Sequence, residues 1–231
     1  MKIGIIGSGN IGGALTRRFR AAGHDVTVAN SRGPESLVDL ARETGARAVS
    51  VQEAARGNDV VVVSIPLGRV EDLSPDLFAN APASLVIIDT GNYYPQQRDG
   101  RIDAIEAGST EGGWVAERLG HPVVKTFNTI FAQHLLENGK PAGTPGRIAL
   151  PVAGDDPRTK AIVMQLVDEI GFDAVDAGTI AESWRQQPGS PVYTKDYDAE
   201  RTRRALAEAR PDRTPEWRAT PNSPGTYDSP K

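Results

Sequence analysis

The sequence predicts an α/β fold in which a doubly wound, mainly parallel sheet precedes a short C-terminal helical closure segment. Short β-branched runs alternate with helical patterns from residue 2 to about residue 177. Such alternation is typical of a parallel sheet with helices on both faces. A glycine-rich turn also joins the first strand directly to the first helix.

The predicted elements follow one another with short connections. The predicted strands are Lys2–Ile6, Asp25–Ala29, Ala46–Ser50, Asp59–Ile65, Leu85–Asp89, Pro122–Asn128, Arg147–Gly154 and Phe172–Asp176. The predicted helices are Asn10–Ala22, Pro34–Thr44, Gly112–Gly120, Pro157–Ile170 and Asp198–Arg210. Glycine follows the first two helices closely, as expected for helix C-termini.

We expect three segments along the chain. Residues 1–180 form the sheet domain, and residues 181–210 form a substrate-closure loop and helix. Residues 211–231 contain five prolines and no periodic pattern. This tail is expected to be disordered, or ordered only against a partner subunit in a homodimer.

The composition excludes several classes of function. The chain has no cysteine and only three widely spaced histidines, so disulfides, thiolate chemistry and a metal site are not expected. A net charge of −4 gives no general attraction to nucleic acid. No apolar run reaches the roughly 18 residues that span a bilayer. We therefore expect a cytoplasmic protein that contacts neither nucleic acid nor membrane.

The glycine turn has the spacing G-x-G-x-x-G at Gly7, Gly9 and Gly12. In a strand–turn–helix context the first glycine permits the tight turn and the second lets the backbone approach a pyrophosphate. The third lets the helix pack closely on the strand, and the helix N-terminus offers N–H groups to phosphates. The pattern predicts a Rossmann-type dinucleotide site. Its residues are Gly7, Ser8, Gly9, Asn10, Ile11 and Gly12.

The end of the second strand predicts which dinucleotide binds. An acidic residue at this point would bond the free 2′-hydroxyl of NAD and repel a 2′-phosphate. The chain has Asn30, Ser31 and Arg32 there instead, and the next acid is Glu35. Amide and hydroxyl groups donate to phosphate oxygens, and arginine adds a permanent charge. NADP(H) is therefore the predicted cofactor.

Polar or proline residues follow three predicted strands at the edge where the nicotinamide should lie. The predicted contacts at this end are Ser64, Ile65, Pro66, Asn92 and Asn128. A structural role at each position stays open, since Asn128 and Thr129 can also begin a helix. Lys125 is a candidate general acid but lies within a predicted strand, so a structural role is expected. No catalytic side chain is predicted, because hydride transfer between aromatic cofactors needs mainly stacking and exclusion of water.

Three segments, "IGIIGSGNIGGAL", "ANSRGPESL" and "VKTFNTI", resemble the NADPH-dependent reductases of the deazaflavin coenzyme F420. The cytoplasmic domain of mammalian ferric reductases is also similar, and the resemblance covers about residues 1–180. It implies direct hydride transfer between NADP(H) and a deazaflavin or flavin. It also implies that Ser8, Asn30, Ser31 and Arg32 hold the 2′-phosphate end. Ser64–Pro66, Asn92 and the turn Asn128–Thr129 would line the nicotinamide end.

The chain departs from this family after its last predicted strand. "ESWRQQPGSPVY" and a charged helix stand where the family has an apolar helix in the deazaflavin pocket. Trp184 could stack on a ring and Arg185 could pair with an acidic substrate, or both could anchor the loop. Two alternatives also stay open. One is an imine, carbonyl or hydroxyacid reductase, for which the C-terminal part is short. The other is a non-catalytic NADPH-binding sensor.

Overall fold

The computed structural model describes residues 1–212 and 223–231. Within these residues, six strands form a parallel sheet and two more form a separate parallel pair. The first six strands are β1 Lys2–Ile6, β2 Asp25–Ala29, β3 Arg47–Ala48, β4 Val60–Val63, β5 Val86–Asp89 and β6 Val124–Lys125. The pair is β7 Ala149–Val152 and β8 Asp173–Asp176. The predicted α/β, mainly parallel, Rossmann-type fold is confirmed.

Helices cover both faces of the large sheet. The α-helices are α1 Asn10–Ala21, α2 Val38–Thr44, α3 Val51–Ala54, α4 Asp103–Glu106, α5 Glu111–Leu119, α6 Ala132–Glu137, α7 Pro157–Glu169 and α8 Ala199–Glu208. In the part of the chain that the structure describes, three 3₁₀-helices span Pro34–Leu37, Leu67–Asp72 and Ile180–Gln186, and a π-helical turn spans Pro95–Asp99. No helix of the described residues is long and apolar enough to cross a membrane.

The continuous apolar strands divide their side chains between two hydrophobic layers. Because side chains alternate along a strand, Val60 and Val62 join the layer that contains α1 and α7. Val61 and Val63 join the opposite layer, where Trp114 of α5 is almost fully buried. This two-sided burial explains why these strands read as unbroken apolar runs rather than alternating patterns.

The order of the large sheet is β3-β2-β1-β4-β5-β6. The chain builds outward from β1 in one direction and then, through β4, in the other. A crevice therefore opens between the loops that follow β1 and β4, and ligands of such sheets bind there. The topology thus brings the glycine turn after Ile6 beside the residues that follow Val63.

The expectation of one sheet that continues to about residue 177 is corrected. β7 and β8 pair only with each other, and one antiparallel bridge, Lys125 to Ala153, connects them to β6. Strand β6 is also shorter than predicted, because Phe127 adopts a left-handed φ of 63° and ends the extended backbone. The bridge between β6 and the end of β7 is antiparallel, and β6 has only two residues. The hydrogen-bonded contact between the two sheets therefore stays short.

The C-terminal part packs on the small sheet. Ala205 and Leu206 of α8 join a cluster with Val175 of β8. Beyond α8, the hydroxyl of Ser223 and the N–H of Lys231 donate to the carbonyl of Gln96. The described end of the tail thus contacts its own chain, where disorder or a partner subunit was expected. Residues 213–222, also part of that expectation, lie outside the described residues.

Candidate functional site

The crevice between the β1 and β4 loops is a cleft of about 950 Å³. It is formed by the glycine turn, the turn after β2, the end of β4 and the 3₁₀-helix that follows. Its predicted lining residues are Gly7, Ser8, Gly9, Asn30, Ser31, Arg32, Ser64, Ile65 and Pro66. Asn10, Ile11 and Gly12 stand behind them at the start of α1. Sequence reasoning did not identify Gln52, Arg69 and Leu77, which also line the cleft.

The three glycines of the turn have different surroundings. Gly7 has a φ of 111°, and a Cβ there would lie 2.0 Å from the carbonyl oxygen of Ser64. A Cβ on Gly12 would lie 1.9 Å from the carbonyl oxygen of Gly7. A Cβ on Gly9 would meet no atom within 4 Å. Gly7 and Gly12 therefore allow close packing inside the protein, whereas Gly9 faces the open cleft.

Helix α1 begins beside this open space with its backbone N–H groups available. Gly9 is its N-cap, so no side chain caps the helix, and its first turn contains no acidic residue. A helix N-terminus of this kind carries a partial positive charge and unpaired donors. This arrangement suits the phosphate groups of a dinucleotide.

Asn30 joins the glycine turn to the turn that carries Arg32. Its side-chain amide nitrogen, Nδ2, donates to the hydroxyl of Ser8 at 3.1 Å, and its side-chain oxygen, Oδ1, accepts a hydrogen bond from the backbone N–H of Arg32 at 2.9 Å. A hydrogen bond to Ser36 further fixes the amide. Asn30 thus acts mainly through the backbone it holds, which sequence reasoning alone did not indicate.

Arg32 provides an exposed cation at the cleft mouth. Within the described residues its guanidinium forms no ion pair, whereas nearby Arg17 is held by Glu43 at 2.6 Å. Arg32 also lines a second depression that shares Ser8 and Gly9 with the cleft. It therefore lies beside the glycine turn with its charge available to an anion.

The predicted nicotinamide-end residues fall into two groups. Ser64 lines the cleft and accepts a hydrogen bond from Thr90 at 3.0 Å. Asn92, Asn128 and Thr129 do not line the cleft. The amide of Asn128 instead donates to Asn92 at 3.0 Å and to the carbonyl of Gln186 at 2.7 Å. In this structure Asn92 and Asn128 therefore join the loops after β5 and β6.

Trp184 and Arg185 contact each other rather than the cleft. The Arg185 guanidinium lies 5.5 Å from the centroid of the Trp184 ring and pairs with Glu182 at 3.1 Å. Their neighbour Gln186 is fully buried and donates to Asn128 at 2.9 Å. The 3₁₀-helix that carries them is thus anchored to the loop after β6.

A buried charge cluster lies below the carboxyl ends of β5 and β6. The Lys125 ammonium donates to Asp89 at 2.9 Å and to the carbonyl of Gly91 at 2.7 Å, and its Nζ lies 3.7 Å from Glu111. Lys125 thus holds these loops together, which agrees with the structural role expected for it. Glu111 was not predicted, because only the three-dimensional packing of α5 brings it here.

Burial raises the pKa of Glu111 from its ordinary 4.5 to about 7, against the opposing attraction of Lys125. One of its carboxylate oxygens has no hydrogen-bond partner within the described residues. Moving a carboxylate out of water disfavours its charged form. Glu111 is therefore a group that exchanges a proton near neutral pH.

Two tyrosines that the sequence analysis did not single out meet near the ends of β5 and β6. The hydroxyls of Tyr94, in the loop after β5, and Tyr193 hydrogen-bond to each other. Burial raises the pKa of both groups, and the charge of Glu111 adds to that effect. Sequence reasoning missed the pair because 99 positions separate the two residues.

The sheet order and the cleft define a dinucleotide-binding protein of the Rossmann type. Residues 2–93 match the family model described as "NADP oxidoreductase coenzyme F420-dependent". These residues are therefore similar to that family, and the match covers about two fifths of the chain.

Two curated proteins are similar in sequence. The Escherichia coli (strain K12) protein YjhV is 48% identical over 73 residues, which are 32% of this chain and 53% of that protein. The metalloreductase STEAP3 of Rattus norvegicus is 25% identical over 183 residues, 79% of this chain and 35% of that protein. The chain thus spans about half of the first relative's length and about a third of the second's.

Solved structures share the fold. The hypothetical protein SMa0349 from Sinorhizobium meliloti has a TM-score of 0.72 and 31% identity, with 85% of this chain and 94% of that chain covered. An Arthrobacter protein assigned as an F420-dependent NADP reductase has a TM-score of 0.62, 23% identity and coverages of 79% and 87%. A Pseudomonas imine reductase has a TM-score of 0.52 and 14% identity, with 89% of this chain and 60% of that chain covered. The last two likenesses concern the fold alone.

Alanine substitutions at Gly9 and Gly12 should have different effects, the first on NADPH binding and the second on the free energy of unfolding. Gly9→Ala should fold normally but weaken NADPH binding by about tenfold, because its methyl group enters the space a pyrophosphate needs. Gly12→Ala should lower the free energy of unfolding by about 1–3 kcal/mol through overpacking against Gly7. Thermal melts and NADPH fluorescence titration measure the two effects. Unchanged binding by folded Gly9→Ala would contradict this account.

Glu111→Gln should alter how stability depends on pH. A carboxyl group whose pKa is raised by folding destabilises the protein as it ionises, so wild-type stability should fall between pH 4.5 and about 7. The variant should therefore gain stability relative to wild type across this window and keep the gain above it. Urea unfolding at several pH values measures the difference. Glu117→Gln, at an exposed position of the same helix, is the matched control for the loss of a carboxylate.

Proposed function

We propose that this protein binds NADP(H) and transfers hydride between it and a deazaflavin, such as coenzyme F420, or a flavin-like acceptor. One observation carries the cofactor half of this proposal. The turn after β2 offers Asn30, Ser31 and Arg32, a cation without an ion pair among the described residues, to the cleft, where an NAD-binding protein has an acid. The family matched by residues 2–93 supports both the cofactor and a deazaflavin acceptor.

The cleft residues fit the parts of NADP(H) in order. The Arg32 turn suits the 2′-phosphate, and the N-terminus of α1 with its uncapped N–H groups suits the pyrophosphate. Ser64, Ile65 and Pro66 follow at the end of β4 and suit the nicotinamide end. When bound, NADPH supplies a hydride. The protein's contribution is to orient the ring at this edge and to keep water from it.

The remaining expectations form part of the same proposal. We place the protein in the cytoplasm as a homodimer, in which residues 181–210 help to enclose the acceptor. Trp184 and Arg185 stay candidate acceptor contacts, since both are partly exposed on the 3₁₀-helix anchored through Gln186. Size-exclusion chromatography with light scattering tests the oligomeric state.

Arg32→Ala should change the cofactor preference. A charged hydrogen bond contributes about 1.5–3 kcal/mol, so NADPH binding should weaken by at least about tenfold. NADH binding should barely change, because NADH has no 2′-phosphate. Titration of each variant with both dinucleotides measures the effect. Arg42→Ala is the matched control, since Arg42 is exposed and lies outside the cleft. Equal losses for NADPH and NADH would contradict the proposal.

An anaerobic absorbance assay tests the acceptor. NADPH and oxidised coenzyme F420 are mixed with and without the protein, and both chromophores are followed. The expected result is their joint loss at a rate proportional to protein concentration. If the protein binds NADPH but gives no turnover with F420 or FMN, the hydride-transfer proposal fails. A non-catalytic NADPH-binding role would then explain the cleft.

A further inference from the structure

The loop that carries Tyr94 begins at the wall of the cleft. Its first residue, Thr90, donates to the cleft residue Ser64 at 3.0 Å. Tyr193 reaches the same place from the C-terminal part, where the N–H of Thr194 donates to the carbonyl of Thr129 at 2.9 Å. The two tyrosine hydroxyls bond to each other. The pair therefore stands at the carboxyl ends of β5 and β6, on the side proposed for the nicotinamide.

Two residues of unfavourable backbone conformation lie in the segments that meet near this pair. Among the described residues, Phe127 and Thr194 are the two non-glycine residues with positive φ, at 63° and 55°. Phe127 precedes the turn Asn128–Thr129, and Thr194 follows Tyr193 directly. Such conformations are unfavourable and persist where the surrounding structure enforces them, most often at functional sites. Thr194 adjoins the hydroxyl pair, and Phe127 lies two residues before Thr129, whose carbonyl accepts the Thr194 N–H.

The surroundings of the pair keep both hydroxyls protonated, which is the form that a proton donor needs. Burial raises the pKa of Tyr94 and Tyr193, so both hydroxyls keep their protons at neutral pH. Glu111 of α5 raises these pKa values further, whereas Arg98 of the π-helical turn lowers them. Asp99 of the same turn also raises the pKa of Tyr94. The Arg98 guanidinium lies 4.9 Å from the centroid of the Tyr94 ring and would stabilise a transient tyrosinate.

We infer that the hydroxyl pair of Tyr94 and Tyr193 is the proton donor to the acceptor, an inference that rests on the proposed hydride transfer. The acceptor is a conjugated ring with a reducible C=N or C=O system. The hydride leaves NADPH with its electron pair and forms a C–H bond on a deazaflavin or an N–H bond on a flavin, which gives NADP⁺. One tyrosine O–H bond breaks, and its proton goes to the acceptor nitrogen or oxygen. The tyrosinate shares its partner's proton and regains its own from water.

Tyr94→Phe, Tyr193→Phe and the double variant test this inference in the full-length protein. Turnover of NADPH with coenzyme F420 and with FMN is compared with NADPH titration and thermal melts. General acid catalysis contributes about 10²-fold or more, so each variant should lose about 10²-fold in kcat with little change in the Kd for NADPH. The double variant should lose little more than the singles, because the hydroxyls act as one unit. The solvent isotope effect on kcat should also differ between each variant and the wild-type protein.

Tyr197→Phe is the matched control. Tyr197 packs against the small sheet and the Arg201 guanidinium, away from the cleft, so its variant should keep wild-type turnover. Wild-type kcat and an unaltered pH profile in the folded double variant would overturn this inference alone. A wild-type protein that binds NADPH but reduces neither F420 nor FMN would overturn the proposed function and this inference with it.

Discussion

The buried ammonium of Lys125 is the interaction on which the site's architecture depends. A charge without solvent is costly unless oxygen atoms surround it closely. Asp89 and the carbonyl of Gly91 supply them, and Glu111 adds a third oxygen at longer range. The other Asp89 oxygen accepts the N–H of Gly91 at 2.7 Å. A single cation thereby fixes the path of the chain as it leaves β5 and places α5 behind it.

The same residue joins the two sheets. The backbone of Lys125 exchanges two hydrogen bonds with Ala153, at the end of β7, and its carbonyl also accepts from Gln186. The side chain of Lys125 thus fixes the loop after β5, while its backbone fixes the small sheet against β6. The side chain orders the loops that follow β5 and β6, and the backbone attaches the C-terminal part that brings Tyr193. Glu111 stays only partly compensated in this arrangement, which leaves it able to exchange a proton near neutral pH.

Local sequence patterns were sufficient to predict the part of the fold that forms the cleft. The strands β1, β2 and β4, the glycine turn and the acid-free turn at Asn30 all depend on neighbours in sequence, so the sequence reports them. The sequence did not report contacts between distant segments. The Tyr94–Tyr193 pair, the role of Glu111 and the separation of β7 and β8 from the main sheet depend on tertiary packing. Phe127 shows the same limit, because neither its type nor its neighbours signal a left-handed backbone that ends β6.

The clamp that Asn30 makes between Ser8 and Arg32 has a kinetic consequence. Protein atoms alone hold this turn in shape, so little conformational freedom is lost when a dinucleotide enters. Related ligands that meet a rigid site differ mainly in how fast they leave it. Cofactor choice would then be a matter of residence time: both dinucleotides arrive at similar rates, and the one with the extra phosphate stays longer.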